Sequence, residues 1–476
     1  MGEVDPLRWK ALTIVCAAFF MTVLDVSIVN VALPSIERSL HFSRENIQWV
    51  VTAYAITFGG FLLLGGRAAD VIGRRIVFLV GVAVFTVASF CCGLAWSEGV
   101  LIGARAVQGL GAAIISPAAL SIIMTTFEEG PERNKALGIW GAIGGGGAAV
   151  GVLAGGLLTK YLGWEWIFFV NVPVGVIAFS LAPRFVRESR AERDSTHDIP
   201  GAIAVTAGLA LLVYAVSEAP NHGWGSGWTI ERLVAAAVLL VAFVLIESRA
   251  KDPIMPFSIF RIRTVAGANV AGLLLGGVVF SNFFILTLYV QQVLGYSALK
   301  TGVTFVATAG SAVVFAGLAQ ALVTKIGAKT VMTVGFVAMI AGLAWYTQIP
   351  VHASFASDLL PGYLLVGFGL PFTFIPVSIA ALAGIAHHEA GLASGLINTA
   401  QQIGGAIGVA VTSSISLSHF NHLVAGGTPF PQAFTSGSQW AFWVATGVAV
   451  AGLVATLVLV RGGDLAMAED AIPVAA

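Results

Sequence analysis

The sequence predicts an all-α polytopic membrane protein of fourteen transmembrane helices, two six-helix bundles with two extra linker helices between them. Three observations predict it. Hydrophobic residues make up 57% of the 476 positions and charged residues 10%, with a mean hydropathy of +0.91, a composition foreign to water-soluble globules. The apolar residues fall into fourteen runs of about 20 residues, the length at which a helix crosses a hydrocarbon core. A weak internal repeat then relates the two ends of the chain.

Lipid offers no hydrogen bonds to an open backbone, so each run is read as a helix. The first, 11–33, follows Arg8 and Lys10. It is longer than a signal peptide's apolar core and lacks a small-residue cleavage site, so it is read as a retained helix. The second and third, 47–66 and 76–96, carry no charge from Ile47 to Leu64 or from Ile76 to Trp96 and flank the charged turn Gly65 to Arg75, which makes them a hairpin. The fourth, 100–126, holds the single intramembrane base Arg105; the fifth, 136–159, is glycine-rich; the sixth, 165–183, begins at a tryptophan pair. The seventh and eighth, 200–217 and 231–247, lie between charged segments and are expected to carry no intramembrane charge, as a structural or lipid-facing insert. The remaining six are 265–289, 301–323, 330–348, 358–384, 391–415 and 438–460, with the eleventh and twelfth divided only by the weakly polar 348–356.

Basic residues fix the orientation. With the N-terminus inside, eighteen of the 24 Lys and Arg residues fall in inside segments and five outside, so the positive-inside rule places both termini in the cytoplasm. Around Gly73 the run Asp70 to Arg75 has a faded counterpart in Thr324 to Lys329, and the fifth-span glycines fall opposite Gly404, Gly405 and Gly408 of the thirteenth span. The expected division is a bundle over 1–187, a linker with the two extra helices over 188–263, a second bundle over 264–461 and a cytoplasmic tail over 462–476, with a transport path between the bundles.

Several classes are excluded. Net charge is zero, with 24 basic and 24 acidic residues, so there is no basic field for nucleic acid. Cys16, Cys91 and Cys92 lie in apolar spans without a disulfide or metal spacing. There is no phosphate-binding loop, so ATP is not the energy source. The histidines are scattered, and His387, His388 and Glu389 do not share a helical face. No metal, cofactor or catalytic centre is expected, and the chain is not read as an enzyme.

Asp25 is an acid within a span, costly unless it meets a partner or a cavity and for that reason a functional candidate. It lies fifteen residues beyond Lys10, about 22 Å along a helix, while Arg105 lies seven beyond Glu98, about 10 Å from the other edge. The two sit at similar depth in a core about 30 Å thick. Pairing would hold Asp25 ionised; separation or desolvation would raise its proton affinity, as proton coupling requires. The alternative is a static ion pair between the first and fourth helices. Gln108 lies one turn from Arg105 on the same face.

Five stretches carry a resemblance. Gly66-Arg67-Ala68-Ala69-Asp70-Val71-Ile72-Gly73-Arg74-Arg75 resembles the G-x-L-a-D-r-x-G-r-k signature between helices 2 and 3 of major facilitator superfamily transporters, with Ala68 and Val71 departing from it. The resemblance implies that Gly66, Asp70, Gly73, Arg74 and Arg75 form an inside gate. Leu24-Asp25-Val26-Ser27-Ile28-Val29-Asn30-Val31-Ala32-Leu33-Pro34 is similar to the l-D-x-T-i-v-N-v-A-L-P signature of the superfamily's fourteen-helix drug:proton antiporter branch. Leu101 to Ala113 resembles the fourth-helix l-x-x-x-R-x-x-q-G-x-g-a-a motif, which implies proton transfer at Arg105.

In the fifth span Gly147, Gly151 and Gly155 recur every four residues and open a face for close helix packing. With Gly156 they resemble the antiporter motif g-x-x-x-G-P-x-x-G-G, although Val152 replaces its proline. The run Trp164 to Pro173 matches W-R-W-i-F-x-i-N-v-P with Glu165 in place of arginine; its tryptophans suit the membrane interface. Ala393 to Gly405 is similar to a run of the same branch and places Asn398, Gln401 and Gln402 at helical spacings, as a polar stripe toward the path or as interhelical hydrogen bonds.

The resemblance implies a major facilitator fold. It further implies a proton-coupled exporter of lipophilic or amphipathic small molecules, drugs and antibiotics among them, in the cytoplasmic membrane. Its partners would be its substrate, protons and the lipid bilayer, with no nucleic acid and no ATP. Asp25 and Arg105 would couple the proton, with Asn30, Gln108, Asn398, Gln401 and Gln402 along the substrate path. A transporter dedicated to one metabolite and a non-transporting sensor or scaffold are the open alternatives.

Overall fold

The computed structural model describes residues 6–42, 47, 49–128, 130–190, 199–250, 255, 257–385 and 390–460. Their regular structure is helical throughout: α1 (Arg8–Leu40), α2 (Trp49–Ile72), α3 (Arg74–Gly93), α4 (Glu98–Thr126), α5 (Pro131–Tyr161), α6 (Trp166–Phe169), α7 (Asn171–Phe185), α8 (Ile199–His222), α9 (Gly227–Glu247), α10 (Arg263–Gln292), α11 (Ala298–Ile326), α12 (Ala328–Tyr346), α13 (Leu360–Leu382), α14 (Ala390–Ala425) and α15 (Phe430–Leu459). Among the described residues twelve stretches are long and apolar enough to span a membrane. The fifth and seventh expected spans correspond to α5 and α8. The sixth is made by α6 and α7 together. Residues 387–389 and the tail 462–476 lie outside the described residues.

Local chemistry sets the ends. Ser97, Ser226 and Ser297 cap α4, α9 and α11 by accepting from Val100, Thr229 and Lys300 backbone N–H groups, satisfying donors that a helix start leaves open. The α2–α3 and α11–α12 turns each pivot on a glycine in the left-handed half of backbone space, Gly73 (φ 128°) and Gly327 (φ 81°), where a side chain would be strained. These are the two turns related by the sequence repeat.

Pairing repeats as well. In the first half α1 packs on α5, and α4 on α2 and α3; in the second, α10 packs on α14, and α13 on α11 and α12. Glycines set the spacing in both halves. A Cβ on Gly151 or Gly155 would run into Ser27 and Ile28 of α1, and one on Gly404 or Gly408 into the Leu273 and Gly277 carbonyls of α10. Gly147 faces Val23 of α1, whereas Gly156 faces the other way, onto Leu299 of α11. Helix α5 runs unbroken through the buried Val152.

The halves meet along α5–α11 and α2–α14, with further contact of α4 on α14 and α5 on α13. On the side of the α2–α3 turn they approach closely: Gly395 lies against Leu62 and Gly66, Gly138 against Gln320, and Gly141 and Gly144 against Phe374 and Ile375. Helices α1 and α10 do not pack as a pair. The linker helix α8 lies against both α2 and α14, so it covers one seam between the halves, with α9 outside it. Trp224 after α8 donates to Ser414 Oγ of α14 at 2.6 Å. The linker pair is not free of acid, contrary to its expected lack of charge: α8 continues past residue 217 and buries Glu218 near its end.

Gly404→Val is expected to pry α14 from α10 and to lower the thermal unfolding midpoint in detergent, at a cost of about 1–3 kcal/mol. Gly310→Ala, where a Cβ meets open space, serves as the comparison and should leave the midpoint equal or higher.

Candidate functional site

Helix α1 carries Asp25 into the middle of the first half, where its carboxylate is fully buried. The Gly151 and Gly155 contacts press α1 against α5 at this level. From α4, Arg105 points its guanidinium at the same spot with 1% exposure, and Nη1 donates to Asp25 Oδ2 at 2.5 Å. The same nitrogen lies 2.6 Å from Gln108 Oε1, and Nε donates to the Val50 carbonyl of α2 at 2.8 Å. Gln108 Nε2 donates to Asp25 Oδ1 at 2.8 Å and to Ser89 Oγ of α3 at 2.7 Å, and Cys92 Sγ lies 3.6 Å from Gln108 Oε1. Asn171, the first residue of α7, adds a third donor to the carboxylate, Nδ2 to Oδ1 at 3.1 Å. The Tyr54 ring of α2 covers the guanidinium at 4.3 Å, with Phe168 at 5.8 Å.

The cluster joins α1, α2, α3, α4 and α7, and the buried charge on each side is met by the other. Three donors meet the one carboxylate and fix the cation beside it. A proton on Oδ2 would place a donor against a donor, so proton loading requires Arg105 to let go of that oxygen. An arrangement with two protonation states tied to two side-chain arrangements can couple proton binding to movement of α1 against α4.

A second polar cluster sits at the α2–α3 turn. Asp70 is fully buried; Oδ1 accepts from Arg74 Nη2 at 2.8 Å, and Oδ2 accepts from the Leu392 backbone N–H of α14 at 3.0 Å. Leu392 is the third residue of α14, where backbone donors are open and the helix end favours an anion. Arg74 Nε also donates to Ser121 Oγ at 2.7 Å and its backbone N–H to the Ser189 carbonyl at 2.9 Å. The Arg75 and Ile76 N–H groups both donate to Glu188, each at 3.1 Å, and a Cβ on Gly73 would displace that carboxylate. Gly66 faces Gly395 across the seam. Asp70 is thereby shared between an arginine of its own half and a helix start of the other.

The expected path residues separate. Gln108 belongs to the Asp25 cluster. Asn30 lies further along α1, exposed, with its amide donating to the Val26 carbonyl at 2.9 Å. Asn398 crosses the seam, accepting from Ser116 Oγ of α4 at 3.0 Å. Gln401 instead turns into the second half beside Gly272 of α10, and its Nε2 is buried without a hydrogen bond among the described residues. Asn269 Oδ1, Ser281 Oγ and Asn282 Oδ1 of α10 are buried and unpaired in the same way. Gln402 is half-buried. Trp166 is exposed at the end of the sixth span, whereas Trp164 is buried in the core beside it. Nothing in the structure explains glutamate at 165.

Sequence reasoning missed Asn171, Ser89, Tyr54 and the Val50 carbonyl as parts of the Asp25 cluster. Asn171 had a signal, an amide inside the apolar run after Trp166; a serine, a tyrosine and a backbone carbonyl had none.

The chain matches the family model for the Major Facilitator Superfamily over residues 15–409. It is 41% identical over 459 residues to the puromycin resistance protein pur8 of Streptomyces alboniger, covering 96% of this chain and 91% of that protein. It is 39% identical over 410 residues to the cephamycin export protein CmcT of Amycolatopsis lactamdurans, covering 85% and 84%. Its fold resembles the crystal structure of the human organic anion transporter MFSD10 (TETRAN), with a TM-score of 0.68, 14% identity and coverage of 95% and 100%.

Removing either side of the buried pair alone, Arg105→Gln or Asp25→Asn, leaves an uncompensated charge, and about 3–5 kcal/mol of stability should be lost. The double variant should recover part of that loss; strictly additive unfolding midpoints would show that the two charges do not depend on each other.

Proposed function

The chain belongs to the Major Facilitator Superfamily, as a multi-pass membrane transporter of small molecules, and from that premise we propose that it is a proton-coupled antiporter. It exports lipophilic or amphipathic compounds, antibiotics among them, across the cytoplasmic membrane. The single observation that carries the coupling is the desolvated Asp25–Arg105 pair, bonded to Gln108 and Asn171 and enclosed by five helices. The bias of basic residues supports cytoplasmic termini. The α2–α3 turn then lies at the cytoplasmic face, and the contacts across it close that face.

In this reading the closed inner face is the state that receives a proton from outside. Asn30, exposed beyond Asp25 on α1, stands on the route inward. Protonation releases Arg105 from Asp25 Oδ2, α1 and α4 shift, and the Asp70–Leu392 bond across the inner seam opens. The proton leaves to the cytoplasm as cargo enters from it. Asp70, Arg74 and Arg75 form the latch, and Gly66 and Gly73 allow its close packing. Cargo is recognised between the halves by apolar surface together with Asn398 and Gln402, while Gln401, turned into the second half, stands behind that surface. No cofactor and no ATP take part; the proton gradient drives the cycle.

Breadth of cargo follows from pocket shape and not from a motif. The relatives named for puromycin and cephamycin favour a narrow reading, in which a single antibiotic class is carried. Efflux measured across a chemically diverse dye and antibiotic panel separates the two.

In proteoliposomes, Asp25→Asn is expected to reduce proton-driven efflux to the level of protein-free vesicles while cargo-for-cargo exchange persists; full proton-driven efflux by this variant would end the coupling role. Asp70→Ala is expected to speed the reaction of a Ser116→Cys thiol with a polar reagent supplied from the cytoplasmic side, in a Cys91→Ser background. An unchanged rate would show that Asp70 does not hold the seam.

A further inference from the structure

Tyr54 is 3% exposed, yet its hydroxyl makes no hydrogen bond among the described residues. A buried phenol in that condition gains nothing from its oxygen and bears the cost of desolvating it. The useful part of the side chain is the ring, which lies over the Arg105 guanidinium at 4.3 Å. Its place is built in: Gly109 of α4 lies against the Tyr54 backbone, and a Cβ there would collide with the Tyr54 carbonyl and Thr57 Oγ1. Four residues before Gly109 on the same helix, Arg105 is brought under the ring by that close approach.

We propose that Tyr54 is a positioning residue for proton coupling, whose ring holds the Arg105 cation while Asp25 carries the proton. This rests on Asp25 being the coupling carboxylate. With Asp25 ionised, the cation and anion offset each other, and the ring contributes little to the neutral pair. With Asp25 protonated, Arg105 is a buried cation without a counter-charge. Its remaining holds are the Val50 carbonyl, Gln108 Oε1 and the ring face, and attraction between a desolvated guanidinium and an aromatic face is then at its strongest. The ring stabilises the proton-loaded arrangement over the ion pair, and so sets the pH at which the carboxylate loads. The titratable and charged groups facing the pair are Asp25 of α1, Tyr54 of α2, Cys92 of α3 and Arg105 of α4; α6 and α7 contribute Phe168 and Asn171, which do not titrate.

The test is infrared titration of the protonated carboxyl band in lipid-reconstituted protein, with Asp25→Asn as the difference reference. Tyr54→Leu should lower the pH of half-maximal band height by about one unit, and Tyr54→Phe should leave it where it is. Phenylalanines carrying one, two and three ring fluorines at position 54 keep the shape and weaken the ring face, so the midpoint should fall stepwise along the series even if the leucine variant does not fold. A single midpoint across all variants, or a Phe variant shifted as far as Leu, overturns the ring's role and leaves Asp25 as the coupling group. A band that persists unchanged in Asp25→Asn overturns the coupling reading, and the role of Tyr54 with it.

Discussion

A carboxylate and a guanidinium removed from water bind the first half of this molecule into one unit. Neither charge is tolerable alone in a medium of low polarity, and their attraction offsets the desolvation only when the remaining lone pairs and protons are also met. Here they are met from α2, α4 and α7: Asp25 by Gln108 and Asn171, and Arg105 by Val50, Gln108 and the Tyr54 ring. Any displacement of α1 relative to α4 strips one of these bonds. Among the described residues the second half shows no such buried ion pair. At the offset that relates Gly73 to Gly327, Asp25 falls on Val279 and Arg105 on Leu359, both apolar. The halves share a pattern of helix pairing and differ in charge at these positions.

Helix α5 gives that local chemistry a mechanical outlet. Gly155 is set against Ile28 of α1, just past Asp25, and its neighbour Gly156 against Leu299 of α11 in the other half. Two adjacent residues on one helix thus touch the helix that carries Asp25 and the seam. Close-packed helices are not continuously deformable; a shift of α1 moves α5 with it or breaks the glycine contact. On the opposite seam, α8 lies across both α2 and α14, so the linker pair must follow or yield when those helices part.

Much of this was legible in the sequence. Apolar runs gave the helices, and the two related glycine turns gave the repeat. A lone acid and a lone base at matching depth gave the pair, with Gln108 one turn away. The limits have physical causes. Asn398 and Gln402, four residues apart, share a face, while Gln401 is turned by about 100° from Gln402, enough to send it to α10 instead of the seam; spacing of three and four reads as one stripe only until a neighbour divides it. Asp70 meets a backbone N–H of Leu392, which no side-chain pattern announces. Glu218 escaped because an apolar run ends at the first polar residue, whereas the helix continues as long as its backbone is satisfied.

The polar cluster at the α2–α3 turn divides its bonds unequally between the halves. Its buried ion pair, Asp70 with Arg74, lies four residues apart within the first half and need not break when the halves separate. Across the seam Leu392 N–H donates to Asp70 Oδ2, and Gly66 lies against Gly395. A hydrogen bond to a charged group has a net worth of about 1.5–3 kcal/mol, and water entering an opening seam replaces part of it. Had Asp70 been paired instead with an arginine of α14, opening would have exposed two unmet charges at once, and a single proton bound elsewhere would not suffice to release them. The strong pair stays inside one half, and across the seam Asp70 is met by a backbone donor, which water can replace.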